Sequence, residues 1–214
     1  MTPTTPGCSP GNTSTKSARQ SNATRPKMAI EVELKFPLLP GAMTVEQVTD
    51  RLEAIGARPM PSRHQNDHYY AHPDRDFAQT DEALRIREDE HRIQLTYKGP
   101  LIDEVAKTRR ELEIGIDSAE IAAEILESLG FRPVRVVAKQ RKPFELSWQG
   151  ISVEAVIDQV EGLGDFVELE TISDTDSHQA ARDHLLALAT KLGLEQSERR
   201  SYLCLLLAGE TEPT

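Results

Sequence analysis

The chain has 214 residues, 38% hydrophobic and 28% charged, which is enough apolar material for one core with a heavily charged remainder. No run approaches the roughly 20 apolar residues that a membrane-crossing helix needs, so no membrane partner is expected. The net charge is −10, and the four bases of residues 1–28 (Lys16, Arg19, Arg25, Lys27) meet no acid there. A net charge of −14 is left on the rest, which argues against a nucleic-acid partner, since phosphates need a cationic face.

Residues 1–27 are rich in Thr, Ser, Pro, Gly and Asn and read as a disordered tail that cannot bury enough surface to offset its chain entropy. Met28 follows directly and offers an alternative start. A basic organelle-targeting peptide fits less well, because the tail has no amphipathic pattern. A domain is expected over 28–208, with a disordered end over 209–214. Its first strand, Ala29–Phe36, alternates and is ended by Pro37 and Pro40-Gly41. A helix follows over Thr44–Ile55, where Thr44 caps, Gln47 sits three residues on, Val45, Val48, Leu52 and Ile55 share a face, and Gly56 stops the turn. Strands are predicted near 63–72, 83–89, 91–98 and 105–116. A second helix spans Ser118–Leu129, capped by Asp117 or Ser118 and stopped by Gly130. Strands resume near 132–147, 150–158 and 165–172. The third helix, Asp176–Leu192, carries an apolar stripe of Ala181, Leu185, Leu188, Ala189 and Leu192. Ser201–Leu207 is a short apolar element whose type the pattern leaves open. Runs of strands with segregated helices indicate an α+β fold or a barrel.

The strands alternate in an unusual way. One face is apolar and the other repeats charged residues of defined type, with side chains sharing a face at period two. These faces carry Glu31, Glu33 and Lys35; Arg85 and Arg87; Gln94, Thr96 and Lys98; Lys107, Arg109, Glu111 and Glu113; Lys139 and Arg141; Glu154 and Asp158; Glu168 and Glu170. On single strands this pattern fits solvated faces with weak ion pairs. Taken together it does not, because the bases cluster in the middle strands and the acids towards both ends. If the sheet closes, the charged faces line a lumen whose bases require anions. A triphosphate supplies them through charge-assisted hydrogen bonds to Arg and Lys. Clustered carboxylates suit Mg²⁺ or Mn²⁺, hard cations that take oxygen ligands and bridge phosphates.

Other features carry less. His64, His68 and His72 have a four-residue spacing that would suggest zinc on a helix, but on a strand they share a face and read as surface or nucleotide-adjacent residues. Gly162-Leu-Gly164 has no helix after it and reads as a hairpin turn. Trp148 reads as a core or turn anchor. Cys8 and Cys204 have no evident catalytic partner and form no disulfide framework, so a cytoplasmic location is expected.

The ordered series of motifs resembles the CYTH superfamily, and within it the class IV adenylyl cyclase branch. Glu31-Val-Glu33-Leu-Lys35 matches its ExExK signature. Further matches are Gln65-Asn-Asp67-His-Tyr69-Tyr70, Thr80-Asp-Glu-Ala-Leu84-Arg85-Ile-Arg87, Leu95-Thr-Tyr-Lys98-Gly99-Pro100 and Lys107-Thr-Arg109-Arg-Glu111-Leu-Glu113. Lys139-Gln-Arg141, the stretch Asp158 to Glu170, and Ser201-Tyr202 complete it. Arg199-Arg200 before Ser201 and the long tail depart from the pattern without removing a site residue. The resemblance implies an eight-stranded antiparallel β-barrel, or tunnel, with flanking helices. It implies metal binding by Glu31, Glu33, Glu168 and Glu170 with Asp158 assisting, and phosphate binding by Lys35, Arg85, Arg87, Lys98, Arg109, Lys139 and Arg141. By position on the charged faces, Lys107 joins the phosphate set and Glu111 the metal set. Glu31, Glu33, Lys35 and Asp158 are the expected catalytic group. The expected activity is conversion of ATP to cyclic AMP and pyrophosphate with Mg²⁺ or Mn²⁺. A thiamine-, nucleoside- or inorganic triphosphatase is the first alternative, and a non-catalytic polyphosphate- or nucleotide-binding module the second. Small enzymes of this kind can pair as homodimers.

Overall fold

The computed structural model describes residues 30–39, 41, 43–102, 107–174 and 176–211. The expected tail 1–27 and the last three residues lie outside them. Among the described residues there are nine strands: β1 (Ile30–Pro37), β2 (Arg58–Pro59), β3 (Arg63–Ala71), β4 (Ala83–Asp89), β5 (Ile93–Lys98), β6 (Lys107–Ile116), β7 (Arg132–Trp148), β8 (Ile151–Val160) and β9 (Gly164–Ser173). The helices are α1 (Val45–Ala54), α2 (Phe77–Thr80), α3 (Ala119–Ser128), α4 (His178–Leu192) and α5 (Tyr202–Thr211). Neighbouring strands are antiparallel in the order β7-β3-β4-β5-β6-β1-β9-β8, and β8 pairs back onto β7. The result is a closed eight-stranded barrel, and β2 adds two residues alongside β7. Closure leaves the barrel strands no free edge.

Closure follows from alternation. On β1, Ile30, Val32, Leu34 and Phe36 face outward and are buried with Leu185, Leu188 and Leu192 of α4 and Val48 and Leu52 of α1. Glu33 and Lys35 face the lumen and are also buried. A slip of one residue would invert both sets, so the outer helices fix the register of the inner charges. A second outer cluster joins Leu84 and Ile86 of β4 to Leu126 of α3.

The capping signals act as expected. Thr44 and Gln47 form a reciprocal capping box on α1, and Ser118 caps α3. Gly193 ends α4 in the left-handed conformation at φ 75°. The apolar element Ser201–Leu207 is a helix, and α5 continues three residues past 208, the expected domain end. Helix α2 is an addition to the sequence reading. The β7–β8 hairpin turns at Gln149 and Gly150, both at positive φ, beside a partly buried Trp148 packed on the core. The expected Gly162–Gly164 turn joins β8 to β9. No helix of the described residues is long and apolar enough to cross a membrane.

Candidate functional site

The lumen is a cavity of about 370 Å³ lined from every barrel strand. Register sets which charges meet. Glu33 pairs across the ladder with Glu170, Lys35 with Glu168, Glu31 with Arg109, and Glu33 with Lys107. The expected site residues line this lumen except Asp158, which is fully buried behind it, and the structure sorts them into distinct groups.

The first group is acidic. Glu31, Glu33 and Glu170 each place one carboxylate oxygen within 4.8 Å of the others, the one such metal-compatible group among the described residues. Burial pushes Glu170 well above the ordinary carboxylate range. Arg141 opposes this, but the nearby carboxylates of Glu168, Glu31 and Glu33 add to it. Crowded, partly desolvated oxygens of this kind are a donor set that a hard divalent cation fits. Lys98 Nζ lies 2.7 Å from Glu31 Oε2 and 3.0 Å from Glu111 Oε2. Burial alone would lower Lys98, but these two acids outweigh it and hold the ammonium charged. Glu111 is thereby committed to Lys98 and lies outside the three-carboxylate group.

Glu168 also lies outside it. Arg141 Nη2 donates to Glu168 at 2.5 Å, and Lys35 Nζ is 3.8 Å away. Burial and Glu33 would raise this carboxyl, yet Lys139, Arg141 and Lys35 hold it down at about 2. Asp158, with 0% exposure, is more fully engaged. It accepts from Lys139 Nζ at 2.8 Å, from Arg141 Nε and Nη2 at 2.8 and 2.7 Å, and from the Tyr202 hydroxyl at 3.2 Å. The structure thus places Glu168 and Asp158, both in the expected metal set, among cations.

The bases form two further groups. Asp67 of β3 accepts from both Arg85 and Arg87 of β4. Lys107 Nζ and Arg109 Nη1 lie 3.6 and 4.0 Å from Asp81, whose backbone carbonyl also accepts from Arg109 at 2.7 Å. Lys35 and Lys139 approach the Tyr202 ring, at 4.4 and 5.2 Å from its centroid. Glu113 accepts from Gln94 and Thr96 and is exposed, and Glu154 is 3.8 Å from Arg63.

Sequence reasoning assigned no role to Asp67, Asp81 or Tyr202, although all three lie within the quoted motifs. For Asp67 the signal was its parity with Gln65 and Tyr69 on β3. For Tyr202 it was the single aromatic ring beside an apolar run. The histidines sit apart from the lumen-facing positions of β3. His68 Nε2 is 2.8 Å from Glu88, and His72 Nδ1 accepts from the backbone of Asp74 and Arg75.

A CYTH domain is matched over residues 29–202. A Methanocaldococcus jannaschii protein provisionally named an adenylate cyclase is 38% identical over 177 residues, covering 81% of this chain and 97% of that one. The adenylate cyclase CyaB of Aeromonas hydrophila is 33% identical over 178 residues, covering 80% of this chain and 86% of that one. Among solved structures, the PH1819 protein of Pyrococcus horikoshii superposes with a TM-score of 0.74 at 40% identity, covering 84% of this chain and 99% of that one. At 17% identity and a TM-score of 0.59, the same fold occurs in a Hippeastrum protein provisionally called an adenylyl cyclase and described as having a dominant triphosphatase activity; that match covers 87% of this chain and 98% of that one. The closed barrel, its charged lumen and the match over 29–202 together establish that the chain belongs to the CYTH family, whose members are metal-dependent and act on triphosphates.

Proposed function

We propose that the protein is a metal-dependent adenylyl cyclase that takes ATP into the barrel lumen and releases cyclic AMP and pyrophosphate. The observation that carries this reading is the separation of roles inside one cavity. Glu31, Glu33 and Glu170 form an acidic group, and buried Lys and Arg residues occupy the rest of the wall. Metal on carboxylates and phosphate on cations is the division that phosphoryl chemistry requires.

In this reading Glu31, Glu33 and Glu170 hold the cation. A divalent ion held there would supply Lewis acidity, lowering the pKa of the ribose 3′-hydroxyl and offsetting charge on the α-phosphate. Arg85, Arg87, Lys107, Arg109, Lys139 and Arg141 bind the triphosphate and stabilise the pyrophosphate as it departs. Lys35 sits between Glu33 and Glu168, 3.8 Å from each, and places a positive charge where the metal and phosphate regions meet. Lys98 pairs with both Glu31 and Glu111, and beside Glu111 it helps hold that carboxyl below its ordinary range against burial. Asp158 acts through Lys139 and Arg141, fixing their direction. In the reaction the 3′-oxygen bonds to the α-phosphorus, the bond to the β-phosphate oxygen breaks, and the hydroxyl proton leaves to solvent. The cyclase names of the two relatives above support this choice.

Triphosphate hydrolysis is the second reading, favoured by the activity described for the Hippeastrum protein on the same fold. Water replaces the ribose hydroxyl, and the lumen charges serve equally. One experiment separates the readings. The protein is incubated with ATP, thiamine triphosphate or inorganic tripolyphosphate, with Mg²⁺ or Mn²⁺, and the products are resolved. Cyclic AMP with equimolar pyrophosphate is the expected result. Orthophosphate without cyclic AMP replaces the cyclase with a triphosphatase. Metal-dependent binding without turnover leaves a binding module.

A further inference from the structure

Asp67 is a buried carboxylate that the proposed chemistry does not use. It projects from β3 with 1% exposure, one strand away from β4, which carries Arg85 and Arg87. Arg87 donates through Nε to Oδ1 at 2.6 Å and through Nη2 to Oδ2 at 2.7 Å, a two-point fork. Arg85 donates through Nη1 to the same Oδ2 at 3.2 Å. Such a fork fixes the plane of a guanidinium as well as its distance.

Arg85 and Arg87 are two residues apart on one strand, so their side chains leave the backbone about 7 Å apart and on the same side. Without an anion between them, two buried guanidiniums would repel and turn apart. Asp67 cancels one of the two charges and leaves a net positive charge facing the lumen. It takes Nε and Nη2 of Arg87 and Nη1 of Arg85. The Tyr69 side chain also engages Arg85, and Arg85 Nε is left buried without a hydrogen-bond partner. A buried donor left unsatisfied is costly, and a ligand oxygen would satisfy it. Burial alone would raise the Asp67 pKa, but Arg85 and Arg87 outweigh it, so the carboxyl stays ionised throughout the neutral range.

We infer that Asp67 is a positioning residue for substrate: it does not touch the triphosphate but sets Arg85 and Arg87 in the orientation that binds it. This inference rests on the triphosphate reading above. Asp158 does the corresponding work for Lys139 and Arg141 two strands away, on the far side of β7, so the two acids splint the cations of β4 and β7.

The test is a double-mutant cycle read on the dissociation constant of inorganic tripolyphosphate, measured by calorimetry with Mg²⁺ present, on the full chain. Asp67→Asn keeps the shape and removes the charge. It is expected to weaken binding at least tenfold in the otherwise native protein. In an Arg85→Gln/Arg87→Gln background the same change should weaken it less than twofold, because the groups through which Asp67 acts are gone. Equal effects in both backgrounds, or binding within twofold of native for Asp67→Asn alone, overturn the inference. If Asp67→Asn does not fold, Asp67→Glu serves instead. It keeps the charge but displaces the fork by one methylene, and at least threefold weaker binding is expected. Unchanged binding there overturns the inference as well. A native protein that binds no tripolyphosphate overturns the triphosphate reading itself, and the inference with it. A native protein that binds, paired with an indifferent Asp67, overturns only the positioning role.

Discussion

Glu170 is the residue at which metal and charge are most tightly linked. Its carboxyl is raised well above the ordinary range by burial and, against Arg141, by the neighbouring carboxylates Glu168, Glu31 and Glu33. Ionising it without a cation therefore costs stability. A divalent ion that binds the folded chain stabilises it by mass action. Glu170→Gln is thus expected to change two quantities in opposite directions. Without metal the variant should melt at or above the native temperature, because one crowded charge is removed. With millimolar Mg²⁺ or Mn²⁺ the native protein should gain several degrees and the variant little. Thermal melts with and without chelator measure both. A variant with an undiminished metal response would place the cation elsewhere. Asp158 and Glu168 differ from Glu170 in this respect. They alternate on strands just as Glu170 does, so sequence parity puts all three in one lumen. What separates them is which cations the neighbouring strands bring. Arg141 donates to both Asp158 and Glu168, and that pairing depends on the β7–β8–β9 register, which no single strand encodes.

At the level of elements, α1 was legible from its cap, its stop glycine and its apolar stripe, α3 from its cap and stop, and α4 from its apolar stripe of helical period. Strand parity was legible for the same kind of reason. Two helices were not. In α5 the run Leu203–Leu207 is apolar on all sides apart from Cys204, so periodicity cannot tell helix from strand. In α2 four residues are too few to show a period, although Asp76 caps it by accepting from the Ala78 backbone. That missed helix matters, because Asp81, which follows Thr80 and caps its C-terminal end in the left-handed conformation at φ 53°, supplies the carboxylate opposite Lys107 and Arg109. In the absence of a ligand, an internal anion stands where the proposed reading places a phosphate. Asp81→Asn removes its charge and leaves the backbone carbonyl that accepts from Arg109. Tripolyphosphate should then bind about threefold or more tightly, since the incoming anion no longer displaces a carboxylate. Calorimetry checks this. Weaker binding would mean that Asp81 contributes to the ligand site instead of competing with it.

For the whole molecule, the barrel has two interiors with different physics. Outside the sheet wall an apolar cluster packs β1, β8 and β9 under α1 and α4. Inside it, paired charges hold the lumen, and their contribution depends on pH. Burial raises Asp67, Asp158, Glu33 and Glu111, yet neighbouring cations hold all four below their ordinary values, and Glu168 at about 2. A carboxyl with a lower pKa folded than unfolded contributes its full stability above the unfolded value of about 4. That contribution is lost as pH falls through the folded value, because the unfolded chain then binds more protons. Glu170, shifted the other way, offsets only part of this. The metal-free protein is therefore expected to lose stability steadily below about pH 4.5, as followed by denaturant midpoints from pH 3 to 7. Leu188→Ala opens a cavity in the outer cluster, where Leu188 is fully buried, and should cost about 2–5 kcal/mol by the same amount at every pH. Asp67→Asn removes one of the groups that take up protons on unfolding and should flatten the acid slope. Parallel profiles for Leu188→Ala and a shallower one for Asp67→Asn would follow from a wall that separates an apolar exterior core from an ionic interior. Should both variants shift the profile alike, the lumen carboxylates would not govern acid stability, and the cause would lie in the remaining acidic residues of the surface.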